Sequence, residues 1–574
     1  MSLRSPASIV AVAALLAACA GSTHPGTPRS ASGSYDVVLS HGKIVDGTGN
    51  PWYYGDVGLR GDRVAIVAPA GALDGATAGT RIDARGMVIA PGFIDIQGQS
   101  DEQLLTGDGR VISKITQGVT TEILGEGDTP APVNDKILAT FEPTDTAGIR
   151  VARQFTGDHG FGAWLDAMQR HGNSINVGSF IGAATIRAYA NGQAQGAPTD
   201  AQLDTMRRVT RDAMRDGAFG VASALIYPPG SYAGTHELSA IAKAMAPYHG
   251  VYISHVRSEG DSLLEAIDEA LAIGRAGGVP VEIYHLKAAG HHSWGKAAEM
   301  VAKIDSARAA GQDVGATMYP YTASGNGLDA CIPPWAAENG KVLANLRDPA
   351  TKARIVQEAM DSTPGKPVYC QESGPGPIMV VGLLSTPSLA KYEGWRLDKI
   401  AEDMHESWGE AMADIVLTSG GRAGKLTFSM TDENVAMQLK RPWVVIGTDA
   451  EGFDPASAKG LTHPRAYGSD PRLLGKYVRE EHVLTLEDAI RKFSSGVAER
   501  LSLADRGLLR AGMYADVVVF DPATIIDKAT YEKPHQLSVG VKDVFVNGVA
   551  VVKDGVATGA KPGRALRGPG MGMP

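Results

Sequence analysis

The chain has 574 residues, 44% of them hydrophobic, which is enough apolar surface for a large core and a length suited to one barrel plus a smaller domain. Its formal net charge of −9 is spread along the sequence without basic runs, which argues against nucleic acid as a partner. The three cysteines include no Cys-x-x-Cys pair, so neither a disulfide scaffold nor a cysteine zinc motif is expected, although Cys331 and Cys370 could pair in an oxidising compartment.

Residues 1–18 carry Arg4 and an apolar run over 9–16, and Leu16-Ala17-Ala18-Cys19 resembles the lipobox of a bacterial lipoprotein precursor. Cys19 would become the lipidated first residue, and the expected location is a periplasm-facing lipoprotein at the outer membrane. An ordinary secretory signal is the alternative. The apolar run is too short for a permanent membrane span, and no later stretch is both long and uncharged enough for one. Residues 19–34 comprise the lipidated cysteine and a Gly-, Ser-, Thr- and Pro-rich tether.

Residues 35–90 read as short strands with turns, and a second set lies in 507–565, where Asn547-Gly548 is a strong hairpin signal. Neither set buries a core alone, so the two are expected to form one small β-sandwich from both chain ends. Between them, residues 91–506 alternate short Val- and Ile-rich runs with helical patterns such as 200–215 and 261–275. Eight runs are counted, at 92–99, 120–126, 176–182, 217–225, 251–256, 280–287, 313–321 and 442–449. Eight strands with helical crossovers define an α/β chain with a (β/α)8 barrel. Residues 325–441 are too long for a simple loop and read as an insertion over the barrel mouth, either a lid or a structural appendage.

Reactive groups of such a barrel collect at the C-terminal ends of its strands. Gln97, Gln99, Glu126, His255, His285, Lys287, Tyr319 and Asp449 all fall at predicted strand ends. His255, in Tyr252-Ile-Ser-His-Val-Arg-Ser-Glu259, and His285, in Ile283-Tyr-His-Leu-Lys287, are one βα unit apart, so adjacent strands would aim both imidazoles at one point. That spacing suits a shared metal, and a catalytic zinc needs a third protein ligand beside an open position. Glu126 is the chosen third ligand because it ends its strand, with Asp128 as the competing donor.

These motifs resemble, residue by residue, the N-acyl-D-amino-acid deacylases (D-aminoacylases) of the metal-dependent amidohydrolase superfamily, and the resemblance extends from Tyr35 to Arg567. It implies the barrel and the composite β-domain. In that family the third ligand is a cysteine or a carboxylate after strand two. Here the segment reads Gly118-Val-Thr-Thr-Glu122-Ile-Leu-Gly-Glu126-Gly-Asp128, without a cysteine, and strict alignment places Gly127 opposite it. The resemblance makes Asp449, in Val445-Ile-Gly-Thr-Asp449, the acid that takes a proton from the attacking water and passes it to the leaving nitrogen. It also makes Lys287, Tyr319 and Arg465, the last in Thr462-His-Pro-Arg465, the holders of the substrate carboxylate. Alternatively, Lys287 and Arg465 pair with carboxylates of the insertion.

The departure lies in strand one. Where the family carries His-x-His, this chain reads Gln97-Gly-Gln99. A neutral amide competes poorly for zinc, so the first of the two family metal positions should be weak or empty, and one Zn2+ per chain is expected at the second. His236, His291 and His292 read as surface or outer residues, and Arg257, Glu259 and Trp294 as groups able to orient ligands. The expected activity is hydrolysis of a linear amide, foremost N-acyl-D-amino-acid deacylation, on a small-molecule substrate. The alternatives are a dipeptidase, a cyclic-amide hydrolase on the same barrel, and a non-catalytic solute-binding lipoprotein.

Overall fold

A computed structural model describes residues 33–141, 145–361, 363 and 370–573. Cys19, the signal segment and all of the tether but Gly33 and Ser34 lie outside the described residues. Among those described, no helix is long and apolar enough to cross a membrane.

Both chain ends enter one nine-stranded sheet. Strands Ser34–Ile44, Tyr53–Arg60, Arg63–Pro69, Thr77–Asp83 and Val88–Pro91 come from the N-terminal part. Val517–Phe520, Val541–Val546, Val549–Lys553 and Val556–Ala557 come from the C-terminal part. The two meet where Val88–Pro91 pairs antiparallel with Val517–Phe520. Instead of two separate layers, one continuous sheet folds around a core that includes Val37, Leu39, Val57, Val517, Val519 and Phe545. The long first strand shifts register between Leu39 and Gly42, at left-handed His41 (φ 62°), an irregularity of the kind that bends a strand. Asn547 (φ 48°) and Gly548 (φ 81°) form the hairpin turn between the second and third C-terminal strands, where positive φ at both positions favours this residue pair.

The barrel strands are Phe93–Asp95, Val119–Leu124, Asn176–Ser179 continued by Ile181–Gly182, Gly220–Ala224, Val251–His255, Val281–Ile283, Val314–Met318 and Val444–Ile446. All neighbours are parallel, and a parallel bridge between Gly98 and Ala450 closes the ring between strands one and eight. Each sequence run matches one of these strands, although the second starts one residue late, at Thr120 rather than Val119. Most runs outlast their strand, because the chain leaves extended geometry at the mouth, at Gly125 (φ 103°), His285 (φ 33°) and Asp449 (φ 53°). Gln97, Gln99, Glu126, His285 and Asp449 therefore stand on the first residues of the loops, and His255 is the last residue of its strand.

The intervening helices follow local rules. Helix Asp200–Arg215 opens with a Thr199–Gln202 capping box, and helix Leu263–Gly277 ends at left-handed Gly278 (φ 68°).

The insertion builds its own antiparallel sheet from Ser324–Gly327, Gly424–Thr427 and Ile378–Val381. Helices including Pro349–Ala359 and Trp408–Ser419 cover it around a separate core, and a disulfide joins Cys331 to Cys370. Its boundary needs correcting: helix Asp432–Leu439 buries Val435 and Leu439 in the barrel core, so the insertion ends before it. A second correction concerns the C-terminus. The composite sheet ends at Ala557, and the tail then runs beneath the barrel, where Leu566 N donates to Val177 O at 2.7 Å and Gly568 N to Gly217 O at 2.7 Å.

Candidate active site

Three side chains converge on one point at the barrel mouth. Glu126 Oε1 lies 3.1 Å from His255 Nδ1 and 3.0 Å from His285 Nε2, and the two imidazole nitrogens are 2.9 Å apart. Among the described residues this is the cluster whose donor atoms could hold a metal ion. Zinc–nitrogen bonds of about 2.0–2.1 Å around a tetrahedral ion separate donors by a little over about 3 Å, so the triad fits with small adjustments. Asp128, the competing carboxylate, is exposed and outside the triad.

The electrostatics favour a cation. Against the opposing effect of burial, the imidazoles of His285 and His255 hold the Glu126 carboxyl well below the usual range. Burial and Lys287 act to lower His285, yet Glu126, Glu259 and Asp449 push it up to about 9. Carboxylates on several sides thus favour positive charge at this spot.

The strand-one glutamines are part of this site. Gln97 Nε2 donates to Glu126 Oε2 at 2.7 Å. Gln99 Nε2 donates to Asp449 Oδ1 at 2.8 Å and, more weakly, to the same Glu126 oxygen at 3.4 Å. Gln97 Oε1 accepts from Thr317 Oγ1 at 2.7 Å, and Thr317 Oγ1 also accepts from His285 N at 2.7 Å. Two neutral N–H donors therefore hold the free oxygen of Glu126 and one oxygen of Asp449, leaving little there to attract a second ion.

The two predicted clamp cations are each paired with a carboxylate. Lys287 Nζ lies 2.6 Å from Glu259 Oε1 and 2.7 Å from His285 Nδ1. Arg465 Nη1 sits 2.6 Å from Asp449 Oδ2, its Nη2 donates to Gly325 O at 3.2 Å, and its guanidinium lies 4.6 Å from the Tyr319 ring centre. Both cations pair with carboxylates of barrel loops rather than of the insertion, because these are the nearest buried anions and an unpaired buried charge is costly. Tyr319 is buried between Arg465 and His285. Glu259 also approaches His285 Nδ1 at 3.0 Å, as an orienting group should.

Other candidates lie apart. Arg257 holds Glu269 and two loop carbonyls, Trp294 Nε1 donates to Ser429 O at 2.7 Å, and His236, His291 and His292 are exposed.

Sequence reasoning missed the layer beneath. Fully buried Lys114 Nζ lies 2.7 Å from Asp95 Oδ2, 2.6 Å from Thr448 Oγ1 and 3.4 Å from Glu122 Oε1, while Asp95 Oδ1 accepts from Gln97 N at 3.1 Å and Thr448 N at 2.9 Å. This network locks the ends of strands one and eight together and so fixes Gln97 and Asp449. Its one sequence signal was a lysine within the apolar turn Val111-Ile112-Ser113-Lys114-Ile115.

Above the triad opens a cavity of about 830 Å3 whose floor carries Glu126, His255, His285, Glu259 and Asp449. One wall is apolar, with Ile137, Phe141, Ala184 and Ala188, and another brings Asn326 of the insertion beside Tyr227.

A closed parallel barrel, a buried Glu-His-His donor set at its C-terminal mouth and an adjoining aspartate define a metal-dependent hydrolase of the amidohydrolase class. An amidohydrolase family model matches residues 401–552. The chain is 32% identical to a D-aminoacylase of Alcaligenes xylosoxydans xylosoxydans over 94% of its own length and 99% of that protein. Among solved structures it resembles a D-aminoacylase studied for one-metal activation and second-metal attenuation at its binuclear centre, with 31% identity, a TM-score of 0.75 and coverage of 93% and 100%. It also resembles an N-acyl-D-glutamate deacylase from Bordetella bronchiseptica complexed with zinc and a phosphonate inhibitor, with 30% identity, a TM-score of 0.74 and the same coverage. The chain belongs to the N-acyl-D-amino-acid deacylase (D-aminoacylase) family.

Proposed function

We propose that this enzyme hydrolyses the amide bond of N-acyl-D-amino acids with a single divalent ion, zinc, held by Glu126, His255 and His285. The observation that carries the reading is the triad of donor atoms 2.9–3.1 Å apart beside an aspartate, with the remaining carboxylate oxygens taken by glutamine amides. A zinc ion on these donors would polarise the amide carbonyl and make water a competent nucleophile near neutral pH.

The protein groups do the rest. Asp449 accepts the proton of the attacking water and returns it to the leaving nitrogen. Burial pushes its carboxyl up to about 6, with Arg465 opposing and Glu126 adding to the rise, which makes it a stronger base than an ordinary aspartate. Gln99 and Arg465 each hold one of its oxygens and so fix its direction. Lys287, Tyr319 and Arg465 would receive the carboxylate of the amino-acid half, a role supported by the family resemblance, and a substrate that engages Arg465 would loosen its grip on Asp449.

The test is release of free amino acid from matched N-acetyl-D- and N-acetyl-L-amino acids, dipeptides and a cyclic amide, with zinc and with chelator. Chelator-sensitive release from the D-acyl series is expected. Release from dipeptides or the cyclic amide alone would move the assignment to those chemistries, and ligand binding without turnover would favour a solute-binding role. We further propose that the enzyme faces the periplasm as a lipoprotein anchored through Cys19, a reading supported by the lipobox-like Leu16-Ala17-Ala18-Cys19. Metabolic labelling with palmitate should mark the parent and not Cys19→Ala; equal labelling would refute the anchor.

A further inference from the structure

The cations near the mouth are of two kinds. Lys287 and Arg465 each sit on a carboxylate, at 2.6 Å in both cases. Lys425 does not. Its side chain is buried, at 5% exposure, and its one hydrogen bond among the described residues is a long one to Thr427 Oγ1, at 3.2 Å. A buried ammonium with no counter-ion in contact is unfavourable, and its position shows what could relieve it.

Lys425 lies in the central strand of the insertion's sheet, directly opposite Asn326. Opposed residues of an antiparallel pair project to the same face. Asn326 lines the cavity and donates from Nδ2 to Tyr227 Oη at 2.9 Å, and the Tyr227 ring is 5.5 Å from that of His255. Asn326 Oδ1 is buried without a hydrogen-bond partner. Val380, opposite Lys425 on its other flank, belongs to the insertion's apolar core. Lys425 thus sits between that core and Asn326 of the cavity wall, one strand behind the mouth, where a long cationic side chain can extend its head toward polar surroundings. Burial pushes the ammonium down to about 8; Glu259 and Asp329 oppose the fall and Lys287 adds to it, so Lys425 feels the charges of the active-site floor.

We propose that Lys425 is a substrate-binding residue that takes a carboxylate of the N-acyl amino acid from the insertion side of the mouth. The proposal rests on the deacylase reading. The carboxylate is either the one on the α-carbon or the one on an acidic side chain, and the test separates them.

Zinc-loaded full-length enzyme and Lys425→Met are assayed on N-acetyl-D-leucine, its carboxamide, N-acetyl-D-glutamate and N-acetyl-D-glutamine, with KM and kcat resolved and ligand affinity measured by calorimetry. Loss of one charge-assisted hydrogen bond should raise KM about 10- to 100-fold for the carboxylate-bearing member of a pair, with kcat held within about twofold and the neutral member unchanged. An effect on N-acetyl-D-leucine against its carboxamide assigns the α-carboxylate. One confined to the glutamate–glutamine pair assigns the side chain. Asn326→Asp, which sets a permanent carboxylate opposite the ammonium, should raise the same KM values and serves if Lys425→Met does not fold. Equal changes on charged and neutral ligands, or no change, would overturn the proposal. Failure of the parent to release any amino acid would sink the deacylase reading instead, and the calorimetric pairs would still decide the role of Lys425.

Discussion

Two neutral amides stand at the mouth end of the first barrel strand, beside the candidate metal triad, and their consequence is local. Gln97 and Gln99 donate to the Glu126 and Asp449 oxygens that a second cation would need, so the centre is complete with one ion. The parent should therefore saturate at about one zinc per chain even in excess metal, because a neutral amide is a weak zinc ligand. Gln97→His combined with Gln99→His should take up a second ion under the same dialysis, read by elemental analysis; a parent that already binds two would refute the argument. The proposed role of Asp449 gives a second expectation. As the base it must be deprotonated to accept a proton, and burial pushes its carboxyl up to about 6 without metal. A nearby cation lowers a carboxyl, so in the zinc enzyme kcat/KM should rise with pH along a limb centred at or below about 6. A limb centred above 7 would exclude Asp449 as the base.

Among the elements, the barrel was the most legible part of the sequence. Alternating apolar runs and helical patterns marked all eight strands, since each strand is buried on both faces and each helix on one. The runs overshot where function begins, because left-handed backbone at His285 and Asp449 ends the strands while the residues remain apolar or polar as before. The histidine pair could be read from its strand-end spacing. The partners of Lys287 and Arg465 could not, since Glu259 and Asp449 become their neighbours only in three dimensions, and Lys425 carried no signal inside a segment without motifs. The insertion that carries Lys425 is tied by a disulfide across 39 residues. In the chain-entropy account a loop of that size contributes up to about 4 kcal/mol to the unit it closes. Cys331→Ser with Cys370→Ser should therefore loosen the insertion before the barrel, seen as a low-temperature unfolding shoulder. KM should rise more than kcat falls, because the triad sits on barrel loops while Asn326 belongs to the insertion. A matched loss of both constants would mean that the insertion also sets the metal geometry.

At the scale of the whole molecule, the sheet built from both chain ends and the barrel should unfold together, because buried polar groups join them. Arg506 is paired with Asp516, at 2% and 5% side-chain exposure. Asp516 Oδ1 accepts from Asn547 N at 2.7 Å, and its Oδ2 from Asn176 Nδ2 at 3.2 Å. Asn176 opens the third barrel strand, and Asn547 Nδ2 donates back to its Oδ1 at 2.7 Å. One carboxylate thus links the hairpin turn of the C-terminal strands to the underside of the barrel. Asp516→Ala would strand a buried guanidinium as well as these donors, a loss of about 3–5 kcal/mol for a broken buried pair. By contrast, Asp62→Ala breaks the exposed pair with Arg564, at 36% and 41% side-chain exposure, and should cost less than about 1 kcal/mol. Denaturant unfolding of the two variants compares them directly. If the sheet and barrel form one cooperative unit, Asp516→Ala shifts the single transition to lower denaturant without splitting it. A split transition, with the sheet melting first and zinc content unchanged, would show instead that the barrel stands without the domain made by the chain ends.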